Sequence, residues 1–247
     1  DESPLVALRK KRLSSLSMAV KAVADDQADA VLTAGNSGAL VAFAKYWLKF
    51  LSSIERPALA TVLPGLPKST LLLDVGATLE YNAGDLYALA EMGAQVAPHL
   101  LNCGENPEVA LLNVGTEHIK GHDTVQQADR LLQESELNYL GFCEGTHLFK
   151  GYADVICCDG FVGNITLKAC EGLIQQLQLG PQLKWWHKIL PARFWQFNDV
   201  NFNPAQYNGA LLLGLDGLVV KAHGNSDETD FHHALVRTAG YIQKINS

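Results

Sequence analysis

The chain predicts an α/β fold whose mostly parallel sheet is covered by helices on both faces. Short runs of Val, Leu and Ile alternate along the sequence with longer amphipathic segments, and several of these runs end in glycine-containing turns. Strands that are buried on both faces give such continuous apolar runs, whereas half-exposed strands alternate apolar and polar residues. Because helices separate these strands, most neighbouring strands are expected to be parallel.

The apolar runs and the helical periods define the elements of this fold in chain order. The predicted strands cover residues 29–34, 58–64, 69–76, 108–115, 137–144, 154–158 and 217–222. The predicted helices cover residues 15–26, 39–50, 85–101, 124–134, a segment that begins near Gly163, and residues 230–245.

At 247 residues the chain suits one large α/β domain or two small ones, and we expect a single domain over residues 1–247. Hydrophobic residues make up 48% of the chain and charged residues 18%, which is ordinary for such a domain. The net charge of −7 argues against a nucleic-acid partner. The five cysteines are odd in number and follow no metal spacing, so we expect reduced core thiols in a cytoplasmic protein.

The stretch ADVICCDGFVGNITLK, residues 153–168, predicts a strand that runs through a tight turn into a helix. The first turn of a helix presents unpaired backbone N–H groups and partial positive charge, so this junction suits an anion. The same pattern also occurs where a helix merely packs closely on a strand. Its candidate binding residues are Asp159, Gly160, Gly163, Asn164 and Thr166, with Lys168 as a nearby cation.

Three further turns follow predicted strands, and ligands of such sheets bind where strands end. We therefore expect all four turns to converge on one crevice. The additional candidates are Gly35, Asn36, Ser37 and Gly38 in GNSG, Asp74 and Gly76 in DVGA, and Asn113, Gly115 and Lys120 in NVGTEHIKG. Lys120 is either a site cation or a solvated lysine, and Asp74 and Asp159 also suit turn or helix-cap roles.

The sequence lacks several common catalytic motifs. It contains no G-x-x-x-x-G-K-[ST] phosphate loop, no G-x-G-x-x-G fingerprint, no H-E-x-x-H and no G-x-S-x-G. The remaining small polar residues, glycine turns and lysine suit the binding of an oxyanion and the stabilisation of developing negative charge.

Two segments lie outside this pattern. Residues 181–197 combine Trp, Phe and Leu with Lys, His and Arg, which indicates either packed core or an amphipathic segment that contacts a membrane or a partner subunit. Residues 9–12, RKKR, form a basic cluster that is either a solvated face or a surface for an acidic protein.

Together these motifs resemble the PlsX-type phosphate acyltransferases over nearly the whole chain, from about Asp1 to His223. The matching segments are ALRKKRLSS, TAGNSGAL, ERPAL, LLLDVGA, NPEVALLNVG with KG behind it, CDGFVGNITLK, EG, NPAQYNGALLLGL and VVKAHG. The resemblance implies a three-layer α/β/α sandwich like that of isocitrate dehydrogenases and phosphotransacetylases.

The resemblance also implies a reaction and its partners. A long-chain acyl group passes from acyl-[acyl-carrier protein] to inorganic phosphate without a cofactor or metal, and the acyl phosphate feeds phospholipid synthesis, with a downstream glycerol-3-phosphate acyltransferase as a further partner. It implies a cytoplasmic homodimer that associates peripherally with the inner face of the bacterial membrane.

By the same similarity, Lys120 and Asn164 are assigned to phosphate or transition-state binding, and His223 is a further candidate in the crevice. The basic cluster would contact the acidic carrier protein, and residues 181–197 would contact the membrane or a second subunit. The chain departs from the family pattern at Thr78, where Asn is usual, and at residues 116–118, where a glutamate pair is usual. The family's N-terminal segment is also expected to be missing.

Three alternatives remain at this point. A phosphate acetyl- or butyryltransferase would use coenzyme A as the acyl carrier. An oxidoreductase related to isocitrate dehydrogenase would share the fold but would need a cluster of aspartates for a metal. A non-catalytic scaffold at the membrane would need neither substrate.

Overall fold

A computed structural model describes residues 4–51, 55–101, 103–179, 209–224 and 226–245. Within these ranges the helices are α1 (Pro4–Lys10), α2 (Ser15–Ala24), α3 (Ser37–Trp47), α4 (Ala83–Leu100), α5 (Asp123–Gln133), α6 (Gly160–Leu179) and α7 (Glu228–Ile245). The strands are β1 (Ala30–Thr33), β2 (Ala58–Leu63), β3 (Thr70–Leu73), β4 (Val109–Leu112), β5 (Tyr139–Cys143), β6 (Val155–Cys157), β7 (Ala210–Leu213) and β8 (Leu218–Lys221). The predicted contact segment at residues 181–197 lies outside the described residues.

The predicted strands and helices are confirmed, and two further elements appear. The strands are shorter than predicted because their last residues form the turns. Helix α1 was not predicted and ends in the basic cluster. Strand β7 was not predicted because its residues belong to a long apolar run that has no period of its own.

The strands form one sheet in the order β1-β8-β7-β2-β3-β6-β4-β5. At one end of the sheet, β3, β6, β4 and β5 run parallel to one another, and at the other end β1 runs parallel to β8. Between these groups, β2 and β7 are antiparallel to both of their neighbours. The sheet is therefore mixed, and the carboxyl ends of β1 and β8 lie at the opposite edge from those of β3 and β6.

Helices cover both faces of this sheet, which confirms the three-layer α/β/α architecture. On one face, Val20 of α2 and Phe43 of α3 belong to the core that contains Cys158. On the other face, Leu89 of α4 and Leu132 of α5 pack with Cys157. Complete burial of a large apolar side chain contributes about 1.5–3 kcal/mol, so the two cores supply most of the stability.

Three of the five cysteines are core residues, as predicted. All five are free; Cys143, Cys157 and Cys158 are buried, whereas Cys103 and Cys170 are half-buried. Burial raises the pKa of the Cys143 thiol to about 12 and raises that of Cys158 well above its ordinary value. Their thiolates are therefore scarce at neutral pH.

Candidate active site

A cavity lies on one face of the two antiparallel strands. Its volume is about 740 Å³. Leu59 and Thr61 of β2 and Ala210 of β7 form its floor. Leu59 and Thr61 are two positions apart and so point to the same face of the sheet. Thr61 is the polar residue on an otherwise apolar strand, because this part of the strand faces the cavity and not a helix.

One wall of the cavity is a stripe along α6. Asn164, Leu167, Lys168 and Glu171 all line the cavity. Their spacing of three, four and seven residues places them on one face of the helix. From Asn164 to Glu171 the helix rises about 10 Å. The cavity therefore contacts the side of this helix, with an amide at one end of the stripe and a carboxyl group at the other.

Asp74 holds the loop that begins this wall. Its carboxylate is completely buried and accepts hydrogen bonds from the backbone N–H groups of Leu59, Gly76, Ala77 and Thr78 at 2.7–3.1 Å. It also accepts a hydrogen bond from the Tyr81 hydroxyl at 3.1 Å. Burial raises the pKa of the Asp74 carboxyl, and the backbone donors oppose that shift. Asp74 therefore stabilises the loop, which matches the turn role considered for it in the sequence.

The glycines of the α6 junction let the helix pack closely against this loop. A Cβ atom at Gly160 would lie 2.7 Å from the Asp74 carboxylate, and one at Gly163 would collide with the Asp74 carbonyl oxygen. Gly76 has a φ of +126°, which favours glycine, and a Cβ there would lie 2.9 Å from Asn164 Nδ2. Because these glycines have no side chains, α6 packs closely on the loop and the Asn164 amide lies directly beside Gly76.

Asp159, the residue before α6, caps the first turn of this helix. The Asp159 carboxylate accepts a hydrogen bond from the backbone N–H of Val162 at 2.8 Å. Phe161 and Val162 are exposed in the same turn. The stretch 153–168 was interpreted either as an anion site or as a close-packed junction. The geometry at its glycines fits the close-packed junction, whereas Asn164 and Lys168 line the cavity, where an anion could bind.

The opposite wall is the amino end of α3. Gly35, Asn36 and Ser37 line the cavity, and the Asn36 side chain caps the helix by accepting a hydrogen bond from the Ala39 N–H at 3.0 Å. This end of α3 carries partial positive charge toward the cavity. Gly38 has a packing role, because a Cβ there would lie 2.8 Å from Cγ of Pro4 in α1.

His223 connects the two walls. It follows β8, and its Nε2 lies 3.1 Å from Oε1 of Glu171 on α6. Burial raises the pKa of the Glu171 carboxyl, while His223 and Lys168 oppose that shift. Lys221, which precedes His223 in the lining, has a pKa lowered by burial. The cavity therefore holds both acidic and basic side chains at this end.

The loop after β4 lies outside this lining. Asn113 organises it, since its Nδ2 donates to the Lys120 carbonyl oxygen at 3.1 Å and its Oδ1 accepts from the Val114 N–H at 2.9 Å. A Cβ at Gly115 would contact Glu117 and the Lys120 side chain. Lys120 itself is exposed. Its catalytic role stays a prediction.

The sequence predicted more binding residues than the cavity contains. Those that line it are Gly35, Asn36, Ser37, Gly76, Asn164 and His223. Within the described part of the chain, the predicted residues outside the lining are Gly38, Asp74, Asn113, Gly115, Lys120, Asp159, Gly160, Gly163 and Thr166. Three of the four predicted turns thus contribute to one cavity, which they reach from opposite edges of the sheet.

Comparison with known proteins gives a consistent result. A model of the family described as "Fatty acid synthesis protein" matches residues 1–245. The phosphate acyltransferase of Shewanella woodyi is 46% identical over 98% of this chain and 73% of its own length. That of Nitrosococcus oceani is 42% identical over 95% of this chain and 71% of its own length.

The chain belongs to the phosphate acyltransferase family. The resemblance drawn from its motifs is therefore confirmed, as is the prediction that the chain is an acyltransferase enzyme. A phosphotransacetylase structure from Streptococcus pyogenes has the same fold, with a TM-score of 0.59 and 17% identity over 94% of this chain and 67% of its own.

Glu171 and Thr61 are among the lining residues that were not predicted as site residues. Glu171 lies seven residues after Asn164, and that helical spacing was the available signal. Thr61 gave no comparable signal, because the cavity floor depends on how β2 and β7 pair.

Proposed function

We propose that this phosphate acyltransferase moves a long-chain acyl group from acyl-[acyl-carrier protein] to inorganic phosphate, giving acyl phosphate for phospholipid synthesis. One observation carries the proposal: the Asn164 amide, the Lys168 cation and the amino end of α3 all line one cavity. These are the groups that bind an oxyanion and stabilise charge as it develops.

The proposed chemistry needs no nucleophilic side chain. A phosphate oxygen attacks the thioester carbonyl, the tetrahedral oxyanion forms, and the carbon–sulfur bond then breaks. The enzyme contributes by orienting phosphate against the carbonyl and by donating hydrogen bonds to the oxyanion. The buried cysteines with raised thiol pKa values fit this proposal, since they are poor nucleophiles.

Within this proposal, Asn164 donates to phosphate or to the oxyanion, and the backbone of Gly35, Asn36 and Ser37 holds phosphate at the amino end of α3. Lys120 supplies a cation from the loop after β4 once the substrate is bound. A Lys120→Ala variant tests this role, with the exposed Lys150→Ala as its control. Full activity in Lys120→Ala would remove Lys120 from the mechanism.

The proposed acyl donor is supported by the basic cluster at residues 9–12. Arg9 and Lys10 form the last turn of α1, Arg12 lies 4.7 Å from the centre of the Tyr46 ring, and Leu13 is 88% exposed beside them. Helix α1 packs along α3, whose amino end lines the cavity. Pro4 lies beside Gly38 and Arg12 beside Tyr46, so the basic cluster is near the carboxyl end of α3 and the cavity is near its amino end. An acidic carrier protein bound here would therefore lie about 13 Å along α3 from the cavity. Its attraction to the cluster is local, since the chain as a whole has a net charge of −7.

The remaining assignments rest on the family resemblance. We infer a homodimer in the cytoplasm, peripheral contact with the inner membrane, and a glycerol-3-phosphate acyltransferase that uses the product. None of the helices among the described residues is long and apolar enough to cross a membrane. Residues 181–197 are proposed to make the membrane or dimer contact.

The experiment that tests the proposed function varies the acyl donor. The full chain is incubated with phosphate and either long-chain acyl-[acyl-carrier protein] or a short acyl-CoA, and acyl phosphate is trapped with hydroxylamine. We expect hydroxamate from the carrier-protein donor alone. Product from the short acyl-CoA alone would indicate the phosphate acetyl- or butyryltransferase, and no product from either donor would favour the scaffold.

A further inference from the structure

The strongest unexplained feature of the cavity is the contact between His223 and Glu171. Nε2 of His223 lies 3.1 Å from Oε1 of Glu171, and the two residues come from opposite sides of the antiparallel strands. Both line the cavity. The His223 side chain is 45% exposed and that of Glu171 is 27% exposed, so the imidazole is the more accessible partner.

Glu171 depends on His223 for its own interactions. Its Oε1 is buried and accepts no hydrogen bond from the described residues, and Nε2 of His223 lies within ion-pair distance of it. A buried carboxylate oxygen without a partner is costly, so this contact fixes both side chains. The arrangement matches the general pattern of an imidazole oriented by a carboxylate.

The acyl transfer needs one proton to move. As an oxygen of hydrogen phosphate attacks the carbonyl carbon, the phosphate hydroxyl becomes more acidic and releases its proton. When the carbon–sulfur bond breaks, the sulfur leaves with the bonding electrons as a thiolate that requires a proton. The products are an acyl phosphate and a free thiol, so one proton passes from phosphate to sulfur and no further reactant is needed.

We propose that His223 relays this proton, and that Glu171 is the positioning residue that holds its imidazole. His223 accepts the proton from phosphate, becomes an imidazolium beside the Glu171 carboxylate, and returns the proton to the departing sulfur. The transfer uses Nδ1, since Nε2 contacts Glu171. This assignment rests on the proposed acyl transfer and adds a catalytic role that the fold and the family match do not specify.

Charged side chains from three elements line the cavity that holds the imidazole. Lys168 lies on α6, Lys221 on β8 and Asp230 on α7, and Glu171 on α6 contacts His223 directly. The relay begins from a neutral imidazole, which accepts the proton from phosphate. In Glu171→Gln the imidazolium has no adjacent counter-charge, so a reduced maximal rate is expected.

Two synthetic thioesters of the same acyl group test the relay. One releases an alkyl thiol, which leaves as a strongly basic thiolate, and the other releases an acidic aryl thiol that needs no proton. For His223→Gln we expect a loss in kcat of about 10²–10³-fold with the alkyl thioester. With the aryl thioester we expect the loss to be at least tenfold smaller. Glu171→Gln should show the same pattern, and Glu171→Asp should recover part of the activity.

The controls are His99→Gln on α4 and Glu134→Gln after α5, both exposed and outside the cavity lining. Equal losses by His223→Gln on both thioesters would overturn the relay. Equal losses by Glu171→Gln on both thioesters, without recovery in Glu171→Asp, would overturn the positioning role. If the wild-type chain formed no acyl phosphate from any donor, the proposed function itself would fail, and that outcome is distinct from a defect confined to the variants.

Discussion

At the scale of the residue, Asn164 combines the clearest placement with the clearest chemistry. Its amide lies over Gly76, beside the loop that Asp74 fixes, and it faces the cavity. It can therefore donate to an oxyanion from a position that the surrounding backbone determines. Neighbouring Ile165 is 53% exposed and lies outside the lining, which makes it a suitable control.

For Asn164→Ala we predict a loss of about 10²–10³-fold in kcat, the usual effect of removing one oxyanion donor. KM for phosphate should rise as well if the amide also contacts the ground state. Ile165→Ala should retain its rate within a factor of about 2 because its side chain is exposed and lies outside the lining. A comparable loss in both variants would mean that α6 had been disturbed as a whole.

Glu171 provides a second prediction at this scale, on stability. Burial raises the pKa of its carboxyl, so the folded state binds the proton more tightly than the unfolded state does. The free energy of unfolding therefore increases as pH falls through the folded-state pKa toward the ordinary value for glutamate. Above that range the buried charge costs stability, despite the attraction of His223.

We therefore predict that Glu171→Gln is at least as stable as the wild type at alkaline pH, and that the difference in their free energies of unfolding declines as pH falls. Urea unfolding of both proteins at a series of pH values measures this difference. A variant that is less stable, with a deficit that grows as pH rises, would show that attraction to His223 outweighs burial. Loss of activity without loss of stability would separate the role of Glu171 in the reaction from any role in folding.

At the scale of the element, α6 determines the site because its first turn packs against the loop after β3. Gly160 and Gly163 leave space for that contact, and the helical spacing then aligns Asn164 and Glu171 along the cavity. The same glycines that suggested an anion site in the sequence are therefore required for packing. Their contribution to binding is indirect, through the position of the helix.

For Gly163→Ala we predict a loss of about 1–3 kcal/mol in the free energy of unfolding, because the added Cβ would meet the Asp74 carbonyl oxygen. Activity should fall as well, since Asn164 would shift. The matched control is Gly240→Ala in α7, where a Cβ has no neighbour within 4 Å. Alanine is the better helix former by about 0.5–1 kcal/mol, so this control should be more stable than the wild type. Equal effects in both variants would contradict the packing role of Gly163.

At the scale of the whole molecule, the elements could be predicted from the sequence but their arrangement could not. Apolar runs and helical periods locate the strands and helices because local burial leaves its period in the chain. The antiparallel direction of β2 and β7 could not be predicted in this way, since a strand buries the same side chains whether it runs parallel or antiparallel to its neighbours. The sequence predicted a crevice at one edge of the sheet. The structure instead has a cavity over the middle strands, lined by residues that follow β1 and β8 at one edge and β3 and β6 at the other.

The same reasoning explains which site residues were found. Asn164 and His223 stand in motifs that carry the family resemblance, and both reach the cavity. Asp74 stands in a motif too, but hydrogen bonds from five donors hold its carboxylate in the interior, and this depends on the fold of the following loop. Glu171 stands in the matching EG segment, seven residues after Asn164, so its spacing gave a signal that was not used. Thr61 reaches the cavity only through the pairing of β2 and β7, which the sequence does not reveal.

The central claim is that phosphate binds in the cavity between α3 and α6. A crystal structure of the full chain grown with phosphate tests it most directly. We predict phosphate within hydrogen-bond distance of the Asn164 amide and the backbone at Gly35, Asn36 or Ser37, with the Lys168 side chain turned toward it. Phosphate bound elsewhere on the protein, with this cavity holding water alone, would contradict the account.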